Sequence, residues 1–153
     1  MLDACNTVKT LLETYWSSTN TDGKTPEIDL VYDVKELDLS IKDRILIYTV
    51  NETPRLNGIG SKKTRQDHRV SIDIRSCYKP IKDTTKATMS STTGHEHLIK
   101  LREEVERIIV LYSNAPGGNY QAIILDGTNQ NLSDRMKNLW RYVYEVKLVV
   151  TNI

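Results

Sequence analysis

The pattern of hydrophobic and polar positions changes along the chain, and its clearest part lies near the C-terminus. Every second position of Leu139–Val150 is apolar or aromatic, and the alternate positions include Arg141, Glu145 and Lys147. A period of two is typical of a strand with one buried and one solvated face. The pattern therefore predicts a terminal strand that pairs within a sheet.

Two earlier segments predict a hairpin. Arg44–Val50 is rich in β-branched and aromatic residues and is apolar on both faces, which predicts a central strand covered on both sides. His68–Tyr78 alternates between apolar and polar positions, so we expect the two strands to pair antiparallel across the polar connection Asn51–Asp67. Two shorter strands are predicted at Glu27–Tyr32 and Tyr120–Leu125.

Helical spacing predicts two amphipathic helices, Leu2–Ser17 and Thr93–Tyr112. At the start of the second helix, Thr93 and Glu96 have the spacing of a capping box. Polar residues predict the solvated side of that helix, namely Lys100, Arg102, Glu103, Glu104, Glu106 and Arg107. Both helices must bury an apolar stripe. The expected fold is therefore α+β, an antiparallel or mixed β-sheet with two α-helices packed on one face, in a single domain over residues 1–153.

Composition narrows the possible functions. The 21 basic and 20 acidic residues give a net charge of +1, which counts against a general polyanion binder. Cys5 and Cys77 lie far apart, so we expect two reduced thiols and no disulfide scaffold. The sequence predicts no signal peptide and no membrane-spanning segment.

Few residues of the sequence suggest a catalytic, metal-binding or phosphate-binding site. His95 and His97 are two residues apart, whereas a zincin helix places its histidines four apart, so we expect two solvated histidines and no metal. The glycine-containing segment 58–65 does not match a Walker loop. It remains either a basic loop that contacts backbone phosphates or a solvated hairpin tip. We therefore expect no enzyme activity and no cofactor.

The order of the predicted elements resembles the tail-terminator (tail-completion) proteins of tailed phages and archaeal tailed viruses. The resemblance rests on an N-terminal helix, the strand His68–Arg75, the helix Thr93–Tyr112, the polar stretch Ser133–Arg135 and the terminal strand Leu139–Val149. It implies a non-enzymatic virion protein, assembled in the host cytoplasm and located at the neck of the tail. Such proteins form a ring, usually hexameric, that caps the tail tube and joins it to the head–tail connector.

The resemblance also implies partners and places for contact. The expected partners are further copies of the chain, the tail-tube protein and the connector, with genomic DNA passing through the ring. Candidate subunit contacts are Arg141, Glu145 and Lys147. The candidate basic residues of a loop that faces the lumen or a partner ring are Arg55, Lys62, Lys63 and Arg65. The alternatives are a head–tail connector or neck component, a tail-tube subunit, or a small nucleic-acid-binding domain.

Overall fold

The computed structural model describes residues 4–30, 43–56, 64–76, 94–113, 120, 122–125, 129–133 and 140–152. The described helices are α1 (Ala4–Tyr15) and α2 (Gly94–Leu111), and a short 3₁₀ turn spans Ser18–Thr21. The described strands are β1 (Glu27–Leu30), β2 (Arg44–Leu56), β3 (Thr64–Ser76), β4 (Ala122–Leu125), β5 (Gln130–Asn131) and β6 (Trp140–Asn152). Neither described helix is long and apolar enough to cross a membrane.

The strands form one mixed sheet in the order β1-β2-β3-β6-β4, and β5 pairs with β6 beside β4. Among the described strands, β1 and β2 pair parallel and the other pairs are antiparallel. The predicted hairpin is confirmed, because β2 pairs with β3 from Arg44↔Arg75 to Leu56↔Thr64. Segments that are distant in sequence therefore meet in the sheet, since β6 lies beside β3.

One face of the sheet, here called the core face, carries the buried apolar residues of the central strands. On β3 they are Val70, Ile72 and Ile74, and on β6 they are Tyr144, Val146 and Leu148. The buried stripes of α1 and α2 belong to the same hydrophobic cluster. The expected α+β class, with two helices on one face of a mixed sheet, is confirmed.

The opposite face, here called the second face, is also partly buried. Leu46 is only 2% exposed and is directly beside Asp73, which is fully buried. The prediction that the β2 strand is covered on both sides is confirmed at Leu46. The alternation of β3 had predicted a solvated second face, and that prediction is wrong at Ser71 and Asp73, which are both buried.

The strands are longer than the apolar pattern predicted. Residues 51–56 and 64–67 belong to β2 and β3, although the sequence predicted a polar connection there. Pairing of β3 with β6 along its whole length, from Thr64↔Asn152 to Ser76↔Trp140, supports this polar part of the ladder. Backbone hydrogen bonds between neighbouring strands can thus outweigh the weak preference of polar side chains for the strand conformation.

Helix α2 begins at Gly94, and this position requires glycine. A Cβ atom there would clash with the indole ring of Trp140 on β6. Close approach of the two elements fixes the start of α2 against the sheet. The predicted capping residue Thr93 lies outside the described residues.

Candidate functional site

The three predicted subunit-contact residues all lie on the second face of β6. Arg141, Glu145 and Lys147 alternate with the core-facing residues of the same strand, as the period of two predicted. Arg141 and Glu145 are bound within the subunit, so their charged groups are not simply offered to a neighbour. Their role in a subunit contact remains a prediction.

Arg141 belongs to an ion cluster around the buried carboxylate of Asp73. Its Nε and Nη2 atoms donate to Asp73 Oδ1 and Oδ2 at 2.9 and 2.8 Å. Arg75 donates to the same two oxygens at 3.3 and 2.9 Å. The hydrogen bonds from Arg141 to Asp73 raise the pKa of the Arg141 guanidinium above its ordinary value. Two-point pairing of this kind is strong and geometrically specific, and it fixes β6 to β3.

Glu145 and Lys147 lie further along β6 on the same face. Glu145 accepts a hydrogen bond from Arg69 Nη1 at 3.0 Å in a partly exposed ion pair. Lys147 pairs across the sheet with Arg69 on β3 and with Ile124 on β4. Lys147 therefore stands beside the outer edge of the sheet.

The structure corrects the location of the predicted basic loop residues. Arg55 lies in β2 and Arg65 in β3, and the two positions are direct cross-strand partners. They were expected in a loop, but the β2–β3 hairpin extends through both positions. Lys62 and Lys63 lie outside the described residues.

His97 contradicts the expectation of two solvated histidines. His95 is exposed, but His97 is fully buried between two carboxylates. Its Nδ1 lies 2.7 Å from Asp22 Oδ2, and its Nε2 lies 2.6 Å from Asp43 Oδ2. Lys100 Nζ donates to Asp22, and Ser76 Oγ donates to Asp43, each at 2.6 Å. This cluster joins α2 to the 3₁₀ turn, the start of β2 and the end of β3.

The electrostatics of this cluster favour an imidazolium. Burial alone lowers the pKa of His97, but hydrogen bonds to Asp43 and Asp22 outweigh burial and raise the pKa above its ordinary value. Burial raises the pKa of Asp22, but the hydrogen bonds to Lys100 and His97 outweigh burial, so the net shift of this pKa is downward. The two carboxylates bind opposite ring nitrogens and do not converge on a common point. No group of three or more ligating side chains among the described residues could hold a metal.

Glu104 is a second correction on α2, because it was predicted on the solvated side and is buried. Asn20 Nδ2 donates to its Oε2 at 2.7 Å, and the backbone N–H of Ser17 donates to Oε1 at 3.2 Å. Arg107 also donates to Glu104, and its Nη2 donates to the Tyr15 carbonyl at 2.8 Å. This carboxylate therefore ties the end of α1 and the 3₁₀ turn to α2.

An apolar surface lies where the end of α2 meets β4. Val110 and Leu111 are 64% and 61% exposed, and Ile124 is 44% exposed. Here α2 and β4 form an open groove of about 340 Å³, the α2–β4 groove, lined by Ile109, Val110, Ser113, Ile123, Ile124 and Leu125. None of these side chains is charged.

Sequence patterns contained signals for these features that our predictions did not use. His97 and Glu104 recur with Leu101 at a spacing of three or four residues, which places all three on one side of α2. Val110 and Leu111 are large apolar residues that lie outside the predicted core stripe of the same helix. A polar residue within an apolar stripe thus indicates a buried ion cluster. An apolar residue outside the stripe indicates an exposed apolar surface.

Comparison with known proteins gives no family for this fold and these clusters. The chain matches no protein-family model, and no curated protein sequence is significantly similar to it.

Proposed function

We propose that this protein is a structural virion protein that assembles as a ring on the end of a tail tube. The ring stops polymerisation of the tube and presents a surface to the head–tail connector. This proposal extends the resemblance in element order to the tail-terminator proteins. The observation that carries it further is the uncharged α2–β4 groove at one edge of the sheet.

Exposed apolar surface supports an assembly role. Large apolar residues that cluster on a surface are typical of protein–protein contacts. Among the described strands, β4 lies at one edge of the sheet and β1 at the other. A ring with rotational symmetry needs two different patches on each subunit, and two unlike sheet edges can supply them.

Internal ion clusters support the role of a rigid scaffold. Asp73, His97 and Glu104 are buried, and each is bound by at least two other residues. The clusters of His97 and Glu104 each join α2 to segments that are distant in sequence. Such clusters hold the helices at fixed positions on the sheet, which a load-bearing ring subunit requires.

Tube capping tests the proposed function. Tail tubes would be polymerised from the tail-tube protein of the same virus, with and without the purified chain, and their lengths would be measured by electron microscopy. We expect shorter tubes with additional density at one end only. A variant at an exposed helix position, Glu103→Ala, serves as a folded control and should cap equally well. Unchanged tube lengths and bare ends with the folded protein present would contradict the proposal.

The same images distinguish the alternatives. A tube subunit would enter the tubes along their length, and a connector component would leave tube growth unchanged but bind the head–tail connector. A nucleic-acid-binding domain would bind DNA with an affinity that falls steeply as salt is added.

A further inference from the structure

No strand among the described residues pairs with the outer edge of β4. The N–H of Ile123 donates to the carbonyl of Ser113 at 3.0 Å, so it points away from β6. Hydrogen-bonding groups alternate in direction along a strand. The N–H and carbonyl of Leu125 therefore also point away from β6, at the end of the α2–β4 groove.

The other edge of the sheet differs in charge. β1 carries Glu27 and Asp29, which share the second face because they alternate with buried Ile28 and Leu30. The N–H of Glu27 donates to the Asp43 carbonyl on the β2 side at 2.9 Å. By the same alternation, the N–H of Ile28 points outward. Glu27 pairs with Arg44 on β2 at 3.5 Å, so Asp29 gives this edge its acidic character. At the β4 edge, Lys147 lies beside Ile124.

We propose that the α2–β4 groove receives the β1 edge of a second copy of this chain, in a head-to-tail contact. This inference rests on the proposed ring and names the surfaces that close it. The strand directions support this contact. β1, β2 and β6 run in the same direction, whereas β3 and β4 run in the opposite direction. A copy placed at the end of the sheet in the same orientation therefore presents β1 antiparallel to β4.

The positions of the outward backbone groups define a register. The partner's Ile28 lies opposite Leu125, so that their outward backbone groups can pair. Asp29 of the partner subunit then lies opposite Ile124, on the second face that also carries Lys147. Opposite charges near each other on one face favour this arrangement over pairing of two identical edges. The register staggers each copy along the strand direction, as closure of a sheet requires.

The size of the patch indicates how the contact behaves. The α2–β4 groove is small, because only six residues line it. A stable pair of proteins buries roughly 800 Å² on each partner. A single contact of this kind therefore has a low affinity. In a closed ring every subunit makes two such contacts, and the ring is more stable than an isolated pair. Association should consequently depend on protein concentration.

Charge substitutions at the two edges test the contact. Ile124→Glu places a carboxylate opposite the acidic β1 edge, and Asp29→Lys places an amine near Lys147. Each should weaken self-association by about tenfold or more in sedimentation velocity, as expected for a residue central to an interface. The matched control is Leu132→Glu, another exposed apolar residue, which follows β5 outside the groove. It should associate like the wild type, and thermal melts should show that all three variants fold.

Mixing the two variants distinguishes this contact from other modes of association. Ile124→Glu retains an intact β1 edge, and Asp29→Lys retains an intact groove, so a mixture can form one native junction. We expect association in the mixture and monomers in each separate sample. Carrying both substitutions in one chain places the new amine of one copy opposite the new carboxylate of the next, so part of the association should return. A mixture that stays monomeric, a wild type that is monomeric at all concentrations, or an Ile124→Glu variant that still assembles would overturn the inference.

These results are separable from the test of the proposed function. Rings that form despite Ile124→Glu and cap tail tubes would overturn the β1–β4 contact and leave the proposed function standing. Rings that need both edges but leave tube growth unchanged would support the contact and contradict the proposed function.

Discussion

The burial of a single residue in this protein depends more on its partners across the sheet than on its own polarity. Asp73 is a charged residue on the face predicted to be solvated, yet it is fully buried. Its two oxygens are occupied by Arg75 and Arg141, one on its own strand and one on β6. The alternation of β3 could predict which face Asp73 occupies. The distant arginine that makes its burial possible could not be predicted, because that pairing depends on the sheet order.

The pairing of Asp73 leads to a prediction for Arg141. Arg141→Glu should destabilise the subunit by about 3 kcal/mol, because it removes one counter-ion and adds a like charge next to a buried carboxylate. The resemblance had placed Arg141 among the candidate subunit contacts, whereas the structure gives it this role within the chain. Urea unfolding followed by circular dichroism measures the loss. Glu145→Ala is the comparison, since its partly exposed pair with Arg69 should contribute only about 0–1 kcal/mol. Equal losses in the two variants would contradict the prediction.

At the scale of elements, pattern predicted the type of each described helix and long strand but not their full lengths or connections. Period-two alternation identified the core-facing residues of β3 and β6, since burial of one face is a local property. The polar ends of β2 and β3 are strands because neighbouring strands pair with them, which no local pattern encodes. His97 was misassigned for the same reason, as its partners Asp22 and Asp43 come from other segments.

The His97 cluster predicts how the attachment of α2 depends on pH. The raised pKa of His97 means that its stabilising contribution is fully present below about pH 6.5, the unfolded value, and is lost as pH rises through the folded value. The lowered pKa of Asp22 means that its contribution is present above about pH 4 and is lost as pH falls. The contribution of the cluster should therefore be largest between these limits.

Substitution of His97 tests that dependence. His97→Ala should cost about 3 kcal/mol near pH 6, because it removes the cation between the buried carboxylate of Asp43 and the partly exposed carboxylate of Asp22. The cost should shrink as pH rises. Denaturant unfolding at several pH values between about 5 and 9 would measure it. The exposed neighbour His95 provides the control, and His95→Ala should change stability by no more than about 0.5 kcal/mol. A loss for His97→Ala that is independent of pH would contradict an imidazolium at this position.

At the scale of the whole molecule, the sheet combines a firmly held centre with two unlike edges. β3 is paired on both sides along its length, whereas β1 and β4 are four-residue strands at the two ends of the sheet. Amide hydrogen exchange should therefore be slowest in β3 and faster in the edge strands of the monomer. Assembly through the edges would change this order.

Exchange measurements on assembled protein would show whether the edges meet. In the proposed contact, the outward N–H groups of Ile28 and Leu125 become hydrogen bonded, so their exchange should slow by about tenfold or more on assembly. The Ile124→Glu variant supplies the monomeric reference at the same concentration. Amides next to Leu132, which lies outside the groove, should exchange at the same rate in both samples. Slowing confined to β3 would indicate a general gain in stability, whereas slowing at both edges requires that they are covered together. Because the two amides lie at opposite ends of the sheet, one neighbour at a single site cannot protect both, and their joint protection is the expected result for the head-to-tail arrangement.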